Sequence, residues 1–284
     1  MIASQDPIST HARARKASAR AVEAFRSLRA CDLCAWHCGT NRFQEPGRHC
    51  HAGVETRWFL AQTEVSDETE LAPSFSIALS GCNLRCAYCI TGERSWNALA
   101  GDPLNLKVLA ARAQRALAQG ARSIMVLGGE PTIHLPHVLA LAAALPDSVP
   151  LIFKTNAYLS ARARELLDGI FDLWLPDFKF GNDDCARRIS RVENYTSVLQ
   201  ENLLWAARTQ PGLMIRHLLM PGHIECCWKP VARWISQNLP ETKVSLRTAF
   251  WPAWQTHNHP ELSRPGRDDQ ALKIARSYRL RLIQ

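Results

Sequence analysis

The sequence predicts an α/β fold, an open partial (βα)6 barrel preceded by a small cysteine-rich module stapled by metal. Three observations predict it. From residue 75 onward, short β-rich apolar runs alternate with helical patterns six times, which reads as parallel strands joined by right-handed crossovers. Six units are too few for a closed eight-unit barrel. Every glycine-rich, polar or charged constellation then falls where a strand ends, the rim on which parallel α/β folds place their chemistry. Upstream, residues 31–53 hold four cysteines in a stretch too short to bury a core.

In chain order, His11–Arg29 is rich in Ala and Arg, with Glu23 its only acid. It superficially resembles an organelle transit peptide, but Ala17, Ala21, Ala24, Phe25 and Leu28 share one helical face, and a short surface helix is the favoured reading. The module follows as Cys31-x2-Cys34-x3-Cys38-x11-Cys50, with His37, His49 and His51. Four cysteines saturate a zinc ion or a second iron–sulfur cluster, so a structural or electron-relay role is expected. Val65–Pro73, with Glu64, Asp67, Glu68 and Glu70 in and beside it, reads as an acidic linker or edge turn.

The expected strands are Phe75–Ser80, Ser123–Gly128, Pro150–Thr155, Asp172–Asp177, Leu213–Met220 and Lys243–Ala249. The expected helices are Leu106–Gln119, stopped at Gly120; His137–Leu145, stopped at Pro146; and Ser160–Leu167, capped by its serine and stopped at Gly169. Tyr195–Thr209 runs up to Pro211-Gly212, and Pro230–Leu239 ends at Pro240. A loop through His257, His259, Pro260 and Pro265 leads to a last helix over about Asp268–Arg279. Three domains are expected: 1–70 for the N-terminal helix and module, 71–256 for the barrel, and 257–284 for the C-terminal loop and helix.

Composition narrows the function classes. The chain has 284 residues, 46% of them hydrophobic, and no apolar run long enough for a membrane span. The net charge of +8 is moderate and shows no basic stripe interleaved with aromatics, so nucleic acid is not indicated. Ten clustered cysteines without a hydrophobic leader point to metal ligation in a reducing compartment, and a cytoplasmic location is expected.

The first expected strand runs into Cys82-Asn83-Leu84-Arg85-Cys86-Ala87-Tyr88-Cys89. Three thiolates in C-x3-C-x2-C spacing can hold three irons of a four-iron cube and leave the fourth open, as a catalytic centre requires. Half a zinc knuckle, or a redox pair in Cys86 and Cys89, fits the loop alone. Zinc would need a fourth ligand, and the nearest downstream histidine, His134, is too distant for a local finger.

Gly128-Gly129-Glu130-Pro131 follows the second strand, Lys154-Thr155-Asn156 closes the third, and Asp177-Phe178-Lys179 the fourth. Glycines permit close backbone approach, and a carboxylate or backbone carbonyls there can accept from an ammonium. Asn156 alternatively just ends its strand in a turn. Asp177 and Lys179 share one face of an extended segment, as a binding pair or a plain ion pair. Arg216 and His217 are adjacent on the fifth strand, so only one can face a pocket, and strand parity does not say which. His217 reads equally as a site residue or a satisfied core histidine. Cys226 and Cys227 suit substrate contact, a further metal or simple packing, packing being the commoner role; Cys185 reads as structural. Trp251 and Trp254 suit a lid, a substrate platform or closure of the barrel.

On the cysteine loop, the glycine motif and the strand ends, the chain resembles the radical S-adenosylmethionine (radical SAM) superfamily. Cys31-Asp32-Leu33-Cys34, Cys38-Gly39-Thr40-Asn41-Arg42 and Arg216-His217-x4-Pro221-Gly222 are similar to the branch named after pyruvate formate-lyase-activating enzymes. The resemblance implies that Cys82, Cys86 and Cys89 ligate a 4Fe–4S cluster whose open iron is chelated by SAM. It implies cofactor contacts from Tyr88 on the adenine, from Gly128, Gly129 and Glu130, from Lys154, Thr155 and Asn156, and from Asp177, Lys179 and His217. A low-potential donor of flavodoxin or ferredoxin type would reduce the cluster, and a 5′-deoxyadenosyl radical would take hydrogen from substrate. That substrate is either a protein or peptide, glycyl-radical-enzyme activation included, or a small metabolite. A non-catalytic iron–sulfur electron carrier is the reading from another class.

Overall fold

The computed structural model describes residues 12–65 and 68–283. His11 and Asp67, both named above, lie outside the described residues. Helix α1 (Ala12–Ser27) buries Ala17, Ala21 and Ala24 against α3, whose range is Leu135–Ala144. Small side chains on that stripe let the two helices approach closely. The cysteine module follows as a loop, and then β1 (Arg57–Glu64), a strand the sequence reading missed.

The barrel consists of β2 (Ser74–Leu79), β3 (Ser123–Gly128), β4 (Leu151–Thr155), β5 (Leu173–Pro176), β6 (Met214–Leu218) and β7 (Lys243–Arg247). The expected strands match these within two residues at each end. β2 to β5 pair in parallel in that order, with Phe75 opposite Ile124, Ile124 opposite Leu151, and Ile152 opposite Leu173. β6 and β7 pair in parallel, Arg216 opposite Ser245. Only two isolated bridges, Trp174 with Leu213 and Asp177 with Arg216, join β5 to β6. Every residue of β2 is buried, as a parallel strand covered on both faces should be.

Both ends of the sheet extend beyond the six-unit pattern. β1 pairs antiparallel with β2, so the sheet reaches upstream of residue 71. At the other end β8 (Arg281–Leu282) adds in parallel to β7, after helix α8 (Gln270–Ser277). Crossover helices α2 (Leu106–Ala118), α4 (Ala161–Leu167), α6 (Tyr195–Thr209) and α7 (Lys229–Asn238) occupy the expected segments. Helix α5 (Asp183–Ser190) was not expected; the Asn182 side chain caps it by accepting from Cys185 N at 2.8 Å. Among the described residues no helix is long and apolar enough to cross a membrane.

The acidic segment needs correcting. Glu68 is no linker residue: its side chain is fully buried inside the barrel. It accepts from Arg216 Nε at 3.0 Å and Ser245 Oγ at 3.1 Å, and pairs with Lys154 Nζ at 3.5 Å, tying β4, β6 and β7 together.

Candidate active site

The loop after β2 turns at Gly81, whose φ of +84° suits glycine. It seats Cys82 and Cys86 in the interior and Cys89 half-buried. Helix α5 holds it from below: Arg85 N donates to Ser190 O at 3.0 Å, Ala87 N to Ile189 O at 2.9 Å, and Ser190 Oγ to Cys86 Sγ at 3.0 Å. Burial pushes the thiols of Cys82 and Cys86 up, while Lys179 pulls Cys86 the other way. Buried thiols of this kind ionise when a cation takes up the charge, as a metal does.

The three cysteines form the floor of a cleft of about 420 Å³ at the C-terminal ends of the strands. Tyr88, Gly128, Gly129, Lys154, Thr155, Asn156, Asp177 and Lys179 all line it. The Tyr88 ring is buried edge-on to Phe180 and Phe250, at 6.4 and 6.2 Å between centroids. Gly128 and Gly129 answer to a stricter need than ligand approach. A Cβ on Gly128 would stand 2.2 Å from the Leu79 backbone, and one on Gly129 1.8 Å from Gly81 O. The glycine segment and the cysteine loop are therefore in direct backbone contact, sealed by Gly129 N to Leu79 O at 2.8 Å and Glu130 N to Gly81 O at 2.9 Å.

Glu130 does not line the cleft. Its carboxylate is fully buried and accepts from Thr132 N (3.0 Å), Thr132 Oγ1 (2.5 Å), Thr155 Oγ1 (2.7 Å) and Asn156 N (2.7 Å). All its acceptor capacity goes to the protein, so any ammonium would meet the backbone of the glycine segment instead. Asn156 likewise faces the cysteine loop, donating to Asn83 Oδ1 at 2.8 Å and reaching Cys82 Sγ at 3.6 Å.

Asp177 accepts from Lys179 Nζ at 2.8 Å and Arg216 Nη1 at 3.1 Å. Burial alone would raise its carboxyl, but Lys179, Arg216 and Lys154 hold it well below the usual carboxylate range. His217 is turned out of the cleft: it is buried with Nδ1 2.6 Å from Phe178 O and its ring on Trp228, 4.9 Å between centroids. Burial pushes it down to about 4, so it is neutral at physiological pH. Arg216 takes the cleft face in its place, because strand neighbours alternate sides. Arg247, Ile90 and Trp251 also line the cleft; of these, sequence assigned Ile90 no role and Arg247 only a place on the rim. Their only available signal was position, Arg247 at the end of the sixth strand and Ile90 next to Cys89.

Cys31, Cys34, Cys38 and Cys50 also come together, lining a small cavity with Trp36, Arg42 and His49. His49 stacks on Trp36 at 3.7 Å, and Arg42 ties the module to the barrel through Ile133 O at 2.6 Å. Among the described residues these four are not one of the groups whose ligand atoms lie within 4.8 Å of one another. Four thiolates are enough to saturate one zinc ion or a second iron–sulfur cluster. The module adjoins the cysteine loop: Trp36 Nε1 donates to Asn83 O at 2.8 Å, and Arg85 donates to both His49 O and Cys82 O.

Residues 76–235 match the family described as the Radical SAM superfamily. An uncharacterized protein of Methanocaldococcus jannaschii is 30% identical over 262 residues, covering 89% of this chain and 76% of that protein. The GTP 3′,8-cyclase of Geobacter sulfurreducens is 28% identical over 209 residues, and the match spans 72% of this chain and 62% of the cyclase. Among solved structures, Streptococcus suis SuiB bound to precursor peptide SuiA aligns over 71% of this chain and 46% of its own, with a TM-score of 0.49 and 14% identity.

Proposed function

Because this chain belongs to the radical SAM superfamily, we propose that it abstracts hydrogen from an exposed segment of a protein or peptide presented at the cleft mouth. Enzymes of this superfamily use a 4Fe–4S cluster and SAM and need a reductant, and the donor set here fits both groups. Cys82, Cys86 and Cys89 are the only cysteines on the cleft lining, three ligands for a cube with one iron left over. When bound, the two groups supply one-electron reductive cleavage of SAM and, from it, hydrogen abstraction.

The chain's own residues bind and orient. Gly128 and Gly129 offer backbone to SAM's amino group, and Tyr88 a ring face or edge to its adenine. Lys154, Lys179, Arg216 and Arg247 line the cleft with Asp177, and Glu68 lies beneath them, so positive charge is in excess. That excess suits SAM's carboxylate and an acidic group on the substrate. A flavodoxin- or ferredoxin-type donor would deliver its electron through the Cys31/Cys34/Cys38/Cys50 module, whose Trp36 and Arg85 contacts end at the cysteine loop.

The observation carrying the peptide reading is the mouth itself. Ile90 is 82% exposed and Trp251 71% exposed, although both line the cleft. An exposed aromatic and aliphatic pair at an entrance suits docking of a larger partner. Glycyl-radical-enzyme activation is one form of this activity. The cationic lining favours a second reading, an anionic metabolite, in keeping with the phosphorylated substrate named for the cyclase relative.

The test is anaerobic incubation with SAM and dithionite, following 5′-deoxyadenosine. Wild type should form it and Cys86→Ala should not; equal yields from both would end the enzyme reading. Addition of the macromolecular fraction of an anaerobic extract should stimulate the wild type, and Trp251→Ala should lose about tenfold of that stimulation while keeping the unstimulated rate. Stimulation by the small-molecule filtrate alone would replace the peptide reading with the metabolite one.

A further inference from the structure

A third cysteine group lies outside the cleft lining: Cys185, read from sequence as structural, Cys226 and Cys227, for which packing was the commoner role, and His223 at the end of the fifth strand. Cys185, His223, Cys226 and Cys227 place their ligand atoms within 4.8 Å of one another, and Cys185, His223 and Cys227 are buried. His223 Nδ1 lies 3.7, 3.3 and 3.5 Å from the sulfurs of Cys185, Cys226 and Cys227, and the last two sulfurs are 3.9 Å apart. A tetrahedral zinc with Zn–S about 2.3 Å and Zn–N about 2.0 Å sets sulfur–sulfur at about 3.8 Å and sulfur–nitrogen at about 3.5 Å. The group already has the dimensions of one coordination sphere, and it is too tight for ligands on separate irons.

The backbone is shaped to produce it. Neighbouring residues on an α-helix diverge by about 100°, yet Cys226 and Cys227 must converge. They sit in a π-helical turn, Ile224–Trp228, in which both Cys227 N and Trp228 N donate to His223 O at 3.0 Å. Gly181 allows that turn to press against the strand-end loop, since a Cβ there would be 2.4 Å from Cys227 O. Asn182 donates to Cys226 O at 2.6 Å and approaches Cys185 Sγ at 3.3 Å. Beyond the ligands, His223 Nε2 faces Glu261 Oε1 at 3.8 Å, and Arg188 pairs with the same carboxylate. A carboxylate behind the far nitrogen orients a metal-bound imidazole and fixes its tautomer.

We infer that Cys185, His223, Cys226 and Cys227 bind one structural zinc ion. The imidazole binds through Nδ1, and the three thiols release their protons to solvent on binding. Four protein ligands close the sphere, so the ion is structural. It fastens the first turn of α5 to the π-turn, and the last turn of α5 holds the Cys82–Cys89 loop through Ser190 and Ile189. The zinc thereby stiffens the seat of the catalytic cysteines without touching the cleft.

The inference does not rest on the radical SAM reading, and its test is elemental analysis, not turnover. Protein produced in zinc-supplemented medium should carry one zinc per chain, retained in a Cys31→Ser/Cys34→Ser variant and lost in Cys226→Ser/Cys227→Ser. His223→Cys, which keeps four ligands, should retain the zinc, and the zinc-free variant should melt lower than His223→Cys. Wild type without zinc, zinc that follows the N-terminal cysteines, or one mononuclear iron in the same place would each overturn the assignment.

Discussion

Arg216 and His217 are one bond apart in sequence and on opposite sides of a sheet in space. Sequence could state that only one reaches the cleft; the parity was decided by which face of β6 the Trp228 ring covers. His217 on the covered face stays neutral, as does His134, buried against Ser80 O and pushed down to about 3. Both histidines are charged in the unfolded chain below about pH 6.5 and neutral in the fold, so between those values the unfolded state binds the extra proton. Stability should be full above pH 6.5 and fall as pH drops toward 4, by about 3 kcal/mol for His217 alone. Urea unfolding at pH 7 and pH 4.5 checks this: His217→Asn, which can still donate to Phe178 O, should flatten the pH dependence. An unchanged slope would mean His217 does not titrate between those limits. Glu130 shows the same dependence on surroundings: a carboxylate legible as a ligand in sequence is, in the fold, a buried clamp with four protein donors.

At the level of elements, the parallel strands and most crossover helices were legible because period, caps and breakers are local. The missed pieces share a cause. β1 is recognisable mainly by its pairing with β2, β8 by its pairing with β7, and α5 is a short polar helix whose place is set by the cysteine loop it supports. The glycine segment illustrates how a motif's spacing conceals its reason. Gly129 is needed because two chain segments touch there, and a methyl group at 1.8 Å from Gly81 O cannot be accommodated. Gly129→Ala should therefore force β3 and the cysteine loop apart, costing about 3 kcal/mol or more, at the upper end of overpacking effects. Soluble yield and thermal melting would register it, whereas Gly120→Ala, with open space around its Cβ but a φ of +103°, should cost less. Equal effects at the two positions would show that the close approach is relaxed by a small backbone shift.

Across the whole molecule, the weakest seam of the barrel is between β5 and β6, where bridges replace a ladder. Glu68 stands behind that seam with Lys154, Arg216 and Ser245 around it, and Arg216 in turn pairs with Asp177. Glu68→Ala would strand buried cations and should destabilise the protein by about 3 kcal/mol in urea unfolding, with Lys243→Ala, at an exposed pair, near neutral. A Glu68→Ala loss below about 1 kcal/mol would mean that the segment after β1 does not brace the barrel. The sequence alone carried the family resemblance, the three-cysteine loop and the strand-end rim, because spacing within one loop and alternation along one strand are local properties of the chain. Tertiary structure decided which neighbour faces the cleft, that an acidic linker residue is an interior brace, and that Cys185 joins Cys226 and Cys227. Those depend on contacts between different elements, up to 177 positions apart, where local periodicity carries no information.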